Sequence, residues 1–174
     1  MILMTARLRR AVLIVHVVTS VGLIGAVAAF LALAVVGLVG QDASVYPAAR
    51  LLTLWLIVPL LAFSLALGAG EAAMTPWGLW RHHWVATKLW ITAASLAVLV
   101  MQLNTIALLA GAAGAAPVGH DLAGGRLRVV LHAAGGLAVL VGLAVLSIMK
   151  PKGLTEFGER AEARRRTLTP NSAP

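Results

Sequence analysis

Three ionisable side chains lie within or at the end of long apolar runs, where such groups are rare: His16, Lys88 and Glu71. An ionisable residue inside a membrane segment is costly, so it raises a functional hypothesis with a partner to be named. At the helical rise per residue, His16 lies about 8 Å beyond Ala11, where its apolar run begins, and Lys88 lies about 6 Å beyond Trp84. Glu71 lies at the end of the second run. Antiparallel helices would therefore bring the three residues to a similar depth.

Two hydroxyl residues accompany this trio at helical spacing. Ser20 follows His16 by four residues, and Thr92 follows Lys88 by four, so each pair shares one helix face. The predicted binding site comprises His16, Ser20, Glu71, Lys88 and Thr92, with His16 as the candidate metal ligand. A structural alternative stays open, in which Lys88 extends to the headgroups beside Glu71 and the hydroxyls bond to their own helices.

His132 is a second histidine within an apolar run. It lies about 8 Å from the boundary opposite to that of His16, which leaves about 15 Å between the two levels in a hydrocarbon core of roughly 30 Å. Two nitrogens on one metal are only about 4 Å apart. The sequence therefore predicts that the two histidines do not share a metal. It favours a bond from His132 to another helix over a separate site with Gln102.

The elements that must position these residues are four apolar segments. A helix needs about 20 apolar residues to cross the membrane, and the segments cover roughly Ala11–Val39, Ala48–Gly70, Trp84–Ala110 and Val129–Met149. Of the 174 residues, 60% are hydrophobic and only 11% are charged, and there are no cysteines to form disulfides or thiolate metal sites. The prediction is an all-α, polytopic four-helix bundle over residues 1–153, followed by a cytoplasmic tail over 154–174.

Basic residues predict the orientation of these segments. With the N-terminus in the cytoplasm, all of the 14 Lys and Arg residues except Arg50, Arg126 and Arg128 fall on the cytoplasmic side. Because positive residues concentrate on that side, both termini are predicted to be cytoplasmic, in a multi-pass protein of the bacterial inner membrane. The net charge of +8 is thereby assigned to membrane topology, and no nucleic-acid partner is expected.

Small residues predict how the segments pack. They recur in the first segment and in the fourth, and they allow membrane helices to approach closely. A compact bundle in the lipid bilayer is expected. The same faces would suit a homodimer or a contact with another membrane protein. The residues are Gly22, Gly25 and Ala26, then Ala133, Ala134, Gly135, Gly136 and Gly142.

Three stretches carry a resemblance to known proteins: 16–25, 75–89 and 150–155. Through these stretches the chain resembles a family of uncharacterised bacterial integral membrane proteins, and the similarity covers essentially its whole length. More remotely, the chain resembles the superfamily of copper-resistance D-type membrane proteins and HemJ-type protoporphyrinogen oxidases. Members share a histidine before a small-residue motif in the first helix and a lysine–leucine pair early in a later helix, which His16 and Lys88 match. Leu23 replaces an aromatic residue of the HemJ-type pattern.

The resemblance implies a haem-associated or redox-linked protein, with haem b held through His16 and Lys88. Enzymatic activity stays open at this point. The alternative is a non-enzymatic membrane component, such as a transport partner or assembly factor, whose polar residues only join the helices. Copper handling is disfavoured, because Cu(I) prefers sulfur ligands and the chain has no Cys and only five scattered Met.

Overall fold

The computed structural model describes residues 5–74, 82–113, 122–149, 153, 155 and 159–160. Regular structure in this part of the chain is helical. Helix α1 is Ala6–Val39, α2 is Tyr46–Leu52, and a π-helical turn, Thr53–Ile57, joins α2 to α3, which is Val58–Met74. Helix α4 is His83–Gly111, and α5 is Leu122–Met149.

Four segments of the described residues are long and apolar enough to cross a membrane: Arg7–Val39, Tyr46–Ala73, His83–Gly111 and Leu122–Met149. The predicted all-α class and the four membrane-type segments are confirmed. Large apolar side chains cover much of the outer surface; Ile148 is 82% exposed and Met101 is 76% exposed. Such a surface is suited to lipid, since a soluble monomer rarely exposes large contiguous apolar patches.

The fourth segment begins at Leu122, seven residues before the predicted start at Val129. The predicted boundary excluded Arg126 and Arg128 from the apolar run. A helix accommodates arginine near its end, however, because the long aliphatic stem packs along apolar surface while the guanidinium reaches a polar boundary. Charge therefore marked the end of the apolar run and not the end of the helix.

Pro59 explains the π-helical turn in the second segment. Proline lacks an N–H and its ring clashes with the carbonyl four residues earlier, so an unmodified α-helix is unfavourable there. The chain widens by one residue instead, and the Val58 N–H donates to the Thr53 carbonyl oxygen. Thr53 and Ile57 are buried by this turn, and the Thr53 hydroxyl donates to the Ala49 carbonyl at 2.8 Å.

Helices α1 and α4 contact the same set of neighbouring helices. Helix α1 packs against α2, α3 and α5, and α4 packs against the same three elements. Within the described part of the chain, α1 and α4 make no backbone approach to each other. The core between them contains side chains from every segment at helical spacing, including Leu23, Phe30, Tyr46, Leu61, Ile106, Leu109, Val129 and Ala133.

Each end of the helix set brings together a different group of residues. At one end, here called the site end, α1 and α4 begin while α3 and α5 finish. A Cβ atom at Gly68 of α3 would lie 3.5 Å from His16 Cε1 of α1, and Lys88 of α4 bonds to Ser147 of α5. At the opposite end, the Tyr46 ring packs onto Gly37. A Cβ atom at Gly37 would lie only 2.7 Å from Tyr46 Cζ and Oη, so only glycine fits there.

Parts of the sequence predictions lie outside the described residues. They include most of the predicted tail, 154–174, and two parts of the stretches that carry the family resemblance, 75–81 and 150–152.

Candidate functional site

His16 is the central residue of the site end. Its ring is half-buried on α1 and faces α3, where a Cβ atom at Gly68 would lie 3.5 Å from the imidazole Cε1. That distance is ordinary van der Waals contact, so α3 lies beside the ring edge and an alanine would also fit at this position. The His16 Nδ1 atom is buried and has no hydrogen-bond partner among the described residues. The imidazole therefore has one buried nitrogen whose hydrogen-bonding capacity is unused in the described structure.

Lys88 projects from the first turns of α4 toward the end of α5. Its Nζ donates to the Ser147 hydroxyl at 2.6 Å, and Ser147 Oγ donates in turn to the Leu143 carbonyl at 2.6 Å. An ammonium group has three N–H donors, so this bond leaves two for other acceptors. Ser147 was missed by the sequence reasoning. Its signal was a hydroxyl one turn before the basic end of the fourth apolar segment.

Lys88 also links the other two ionisable residues electrostatically. Its ammonium interacts with the Glu71 carboxylate at the end of α3 and with the His16 imidazole on α1. Helices α1, α3 and α4 thus bring His16, Glu71 and Lys88 into one region, as their predicted depths required. Helix α5 adds Ser147 to this region.

The two predicted hydroxyl residues both donate to carbonyl groups of their own helices. Ser20 Oγ donates to the His16 carbonyl at 2.8 Å, and Thr92 Oγ1 donates to the Lys88 carbonyl at 2.8 Å. Their protons therefore satisfy the backbone of their own helices, as the structural alternative predicted. Ser20 Oγ also approaches Ser64 Oγ of α3 at 3.4 Å. This contact ties α1 to α3 one turn beyond His16.

His132 lies apart from this region. Its side chain is exposed on α5, and its Nδ1 is 2.7 Å from the Arg128 carbonyl oxygen one turn earlier in the same helix. The predicted bond to another helix is therefore wrong. A hydrogen bond along the helix satisfies the ring without a neighbour, which the depth estimate did not consider.

The described side chains around His16 are too few to hold a bare metal ion. In the described ranges, no group of three His, Cys, Asp or Glu side chains could hold a metal ion. A bare ion at this site would therefore have fewer than three such ligands among the described residues. The iron of haem has a smaller requirement, because the porphyrin supplies four nitrogens and one protein imidazole can complete its ligands. The remaining Lys88 donors suit the carboxylate of a propionate.

The chain is all-α, with four helices long and apolar enough to cross a membrane, and His16 and Lys88 lie near the same end of these helices. Comparison of the chain with protein-family models, with curated proteins and with solved structures finds no match. The residues of the site therefore carry the functional inference that follows.

Proposed function

We propose that this chain is a multi-pass protein of the bacterial inner membrane that binds haem b at the His16–Lys88 site, in a redox or haem-handling role. In this proposal the four segments form a bundle with both termini in the cytoplasm. The bias of basic residues supports that orientation, and the resemblance of the stretch 16–25 to haem-associated membrane proteins supports the ligand.

One observation carries the proposal: the His16 Nδ1 is buried without a hydrogen-bond partner in the described structure. Leaving a buried polar atom unsatisfied costs about 1–3 kcal/mol, so native proteins rarely do so without a reason. A bond from this nitrogen to haem iron would satisfy it. The absence of a side chain at Gly68 leaves space beside the ring edge, since an added Cβ would lie 3.5 Å from His16 Cε1.

Lys88 has the second role in this proposal. The Ser147 hydroxyl fixes the position of the ammonium, and a haem propionate would accept from its remaining N–H groups. Glu71 lies within electrostatic range of the same ammonium, so it would limit the net charge of the site. Ser20 and Thr92 would act indirectly, by bonding the carbonyls of His16 and Lys88.

The absorption spectrum of the detergent-purified protein, expressed with added haem precursor, tests the proposal. A Soret band is expected for the natural sequence. The variant His16→Ala should lose or shift the band, and added imidazole should restore part of it by replacing the axial ligand. His132→Ala is the matched control and should leave the spectrum unchanged, because that ring is exposed and bound to its own helix.

Protein that carries no Soret band under these conditions would overturn the haem proposal. If His132→Ala removes the band and His16→Ala preserves it, then His132 is the ligand and the assignment to His16 is wrong. Lys88→Met should weaken haem retention more than Lys88→Arg, which keeps a cation able to pair with a carboxylate.

A second candidate function is favoured by the Lys88–Ser147 hydrogen bond itself, which joins α4 to α5. Here the polar residues would only hold together a non-enzymatic membrane component, such as a transport partner or an assembly factor. A double-mutant cycle with Lys88→Met and Ser147→Ala measures the contribution of that bond to stability. Membrane hydrogen bonds average about 0.6 kcal/mol in such cycles, with a maximum near about 1.7 kcal/mol.

The haem spectrum and the Lys88–Ser147 coupling free energy together distinguish the two candidate functions. A coupling free energy near the upper value, together with no haem spectrum, would support the structural role. Haem binding that depends on His16, with a small Lys88–Ser147 coupling, would support the haem role.

A further inference from the structure

The outer face of α4 carries a repeating row of exposed side chains, here called the α4 seam. Its members are spaced alternately by four and three positions, and all are exposed: Trp90, Ala94, Ala97, Met101, Asn104 and Leu108. At the helical turn per residue they fall within about 80° of one another. Val85 and Ile106, which are buried, lie about 140° and 160° from the centre of this row. The seam therefore faces away from the core.

The spacing of the seam is that of a helix that packs along a second helix. Alternating steps of four and three positions form the heptad repeat, in which two helices cross at a small left-handed angle. Most helices inside membranes cross at about 20° in this way. Ala94 and Ala97 are small, so they allow another backbone to approach. These positions remain exposed although α2, α3 and α5 all pack against α4, so the seam has the geometry to receive one more helix.

Asn104 indicates what this additional helix must provide. It lies seven residues beyond Ala97, the midpoint of α4, which places it about 10 Å from the centre of a hydrocarbon core with a half-thickness of about 15 Å. The side-chain amide has two N–H donors and an acceptor oxygen, and lipid chains offer a partner to neither. An asparagine on an exposed membrane face is favourable when a neighbouring helix supplies those partners.

We infer that the α4 seam packs against the α4 seam of a second copy of this chain, with the two Asn104 amides bonded to each other. Copies of one protein have the same orientation in a membrane, so their α4 helices run parallel. A two-fold axis along the membrane normal then brings each position of the seam to its own counterpart. An amide is both donor and acceptor, so it complements itself across such an axis, whereas two like charges would repel.

This interface is separate from the other features of the molecule. Lys88 lies on the core side of α4, where it bonds to Ser147, so the inference does not depend on the proposed haem site. The seam also differs from the small-residue faces of the first and fourth segments, which belong to α1 and α5.

Single-cysteine variants test the position of the interface, because the natural sequence contains no cysteine. Full-length protein in phosphatidylcholine vesicles is oxidised with copper phenanthroline. Met101→Cys, at a seam position that is 76% exposed, should give a covalent dimer. Leu131→Cys is the matched control on α5. It is 61% exposed and should cross-link only through random collision, with a several-fold lower yield.

The role of Asn104 is tested by the association equilibrium. Leu131→Cys protein labelled with donor and acceptor dyes reports pairing by energy transfer as the protein-to-lipid ratio falls. Adding Asn104→Leu should raise the midpoint ratio about 3- to 20-fold, the value of one hydrogen bond within a membrane. Asn104→Gln keeps both donor and acceptor and should change the midpoint less. His132→Leu removes another exposed polar side chain and should leave it unchanged.

These variants replace exposed side chains, so a folded protein is expected in each case, and circular dichroism verifies the helix content. Equal cross-linking yields for Met101→Cys and Leu131→Cys would overturn the inference, as would a midpoint that Asn104→Leu does not move. The same oxidation in membranes of the expressing cells identifies the occupant. A Met101→Cys product whose mass is not twice that of the chain would assign the seam to another membrane protein and overturn the self-association.

Discussion

The contact between Gly37 and Tyr46 makes Gly37→Ala the most decisive stability experiment. In an open helix position, replacing glycine by alanine stabilises by about 1 kcal/mol. At Gly37 the new Cβ would lie 2.7 Å from Tyr46 Cζ and Oη and 2.8 Å from Cε2. Those distances are well inside van der Waals contact, and the ring is fully buried, so it could move only by displacing its neighbours. The alanine should therefore destabilise the protein.

Gly25→Ala is the matched control, because it lies in the same helix and its new Cβ would meet nothing within 4 Å. Both variants share the gain in helix propensity, so the difference between their free energies of unfolding isolates the overpacking at Gly37. That difference should be about 1–3 kcal/mol, the usual cost of forcing extra methyl groups into a packed core.

Reversible unfolding in mixed micelles, followed by helical circular dichroism as the SDS fraction increases, measures both free energies. Gly37→Ala should unfold at a lower SDS fraction than the natural sequence, and Gly25→Ala at an equal or higher one. Equal unfolding midpoints for the two alanine variants would refute the packing of Tyr46 on Gly37.

Three further predictions follow from other contacts. Two hydrogen bonds from Ser44 hold the pKa of Asp42 below its ordinary value. The stabilisation from these bonds is present above the unfolded pKa and is lost as the pH falls through the lowered folded pKa. Ser44→Ala should therefore raise the Asp42 pKa, measured by carboxyl ¹³C NMR. Gly68→Ala should be tolerated, since its Cβ would lie 3.5 Å from His16 Cε1, but Gly68→Leu should displace the imidazole and change any haem spectrum; identical spectra would contradict the contact. Ser64→Ala should cost no more than about 0.6 kcal/mol in micelle unfolding, because Ser20 retains its backbone bond; a loss of several times that size would show a stronger link between α1 and α3.

The sequence predicted the region around His16 better than its individual bonds. Depth along each apolar run is a one-dimensional quantity, so helical rise and alternating direction were enough to place His16, Lys88 and Glu71 together. Depth along the runs could not identify the direct hydrogen-bond partner of Lys88. Ser147 lies 59 positions further along the chain, and its pairing depends on the rotation of α5 about its own axis, which packing sets.

His132 also shows that depth along a segment does not give the direction of a side chain. Its depth correctly separated it from His16, but the choice between a neighbouring helix and its own backbone required the direction of the side chain. That direction follows from which face of α5 packs on α1 and α4. The face is chosen by buried residues such as Val129 and Ala133, while His132 lies on the exposed side.

By itself, the sequence determined that this chain is helical, that four segments are long and apolar enough to span a membrane, and that few ionisable residues lie within them. These properties are local, because run length and composition decide whether a helix can satisfy its backbone in an apolar medium. Only the tertiary structure decided which buried polar atoms lack partners, notably His16 Nδ1, Tyr46 Oη and Arg126 Nε. The satisfaction of a polar atom depends on the three-dimensional positions of its neighbours, and those are fixed when the helices pack.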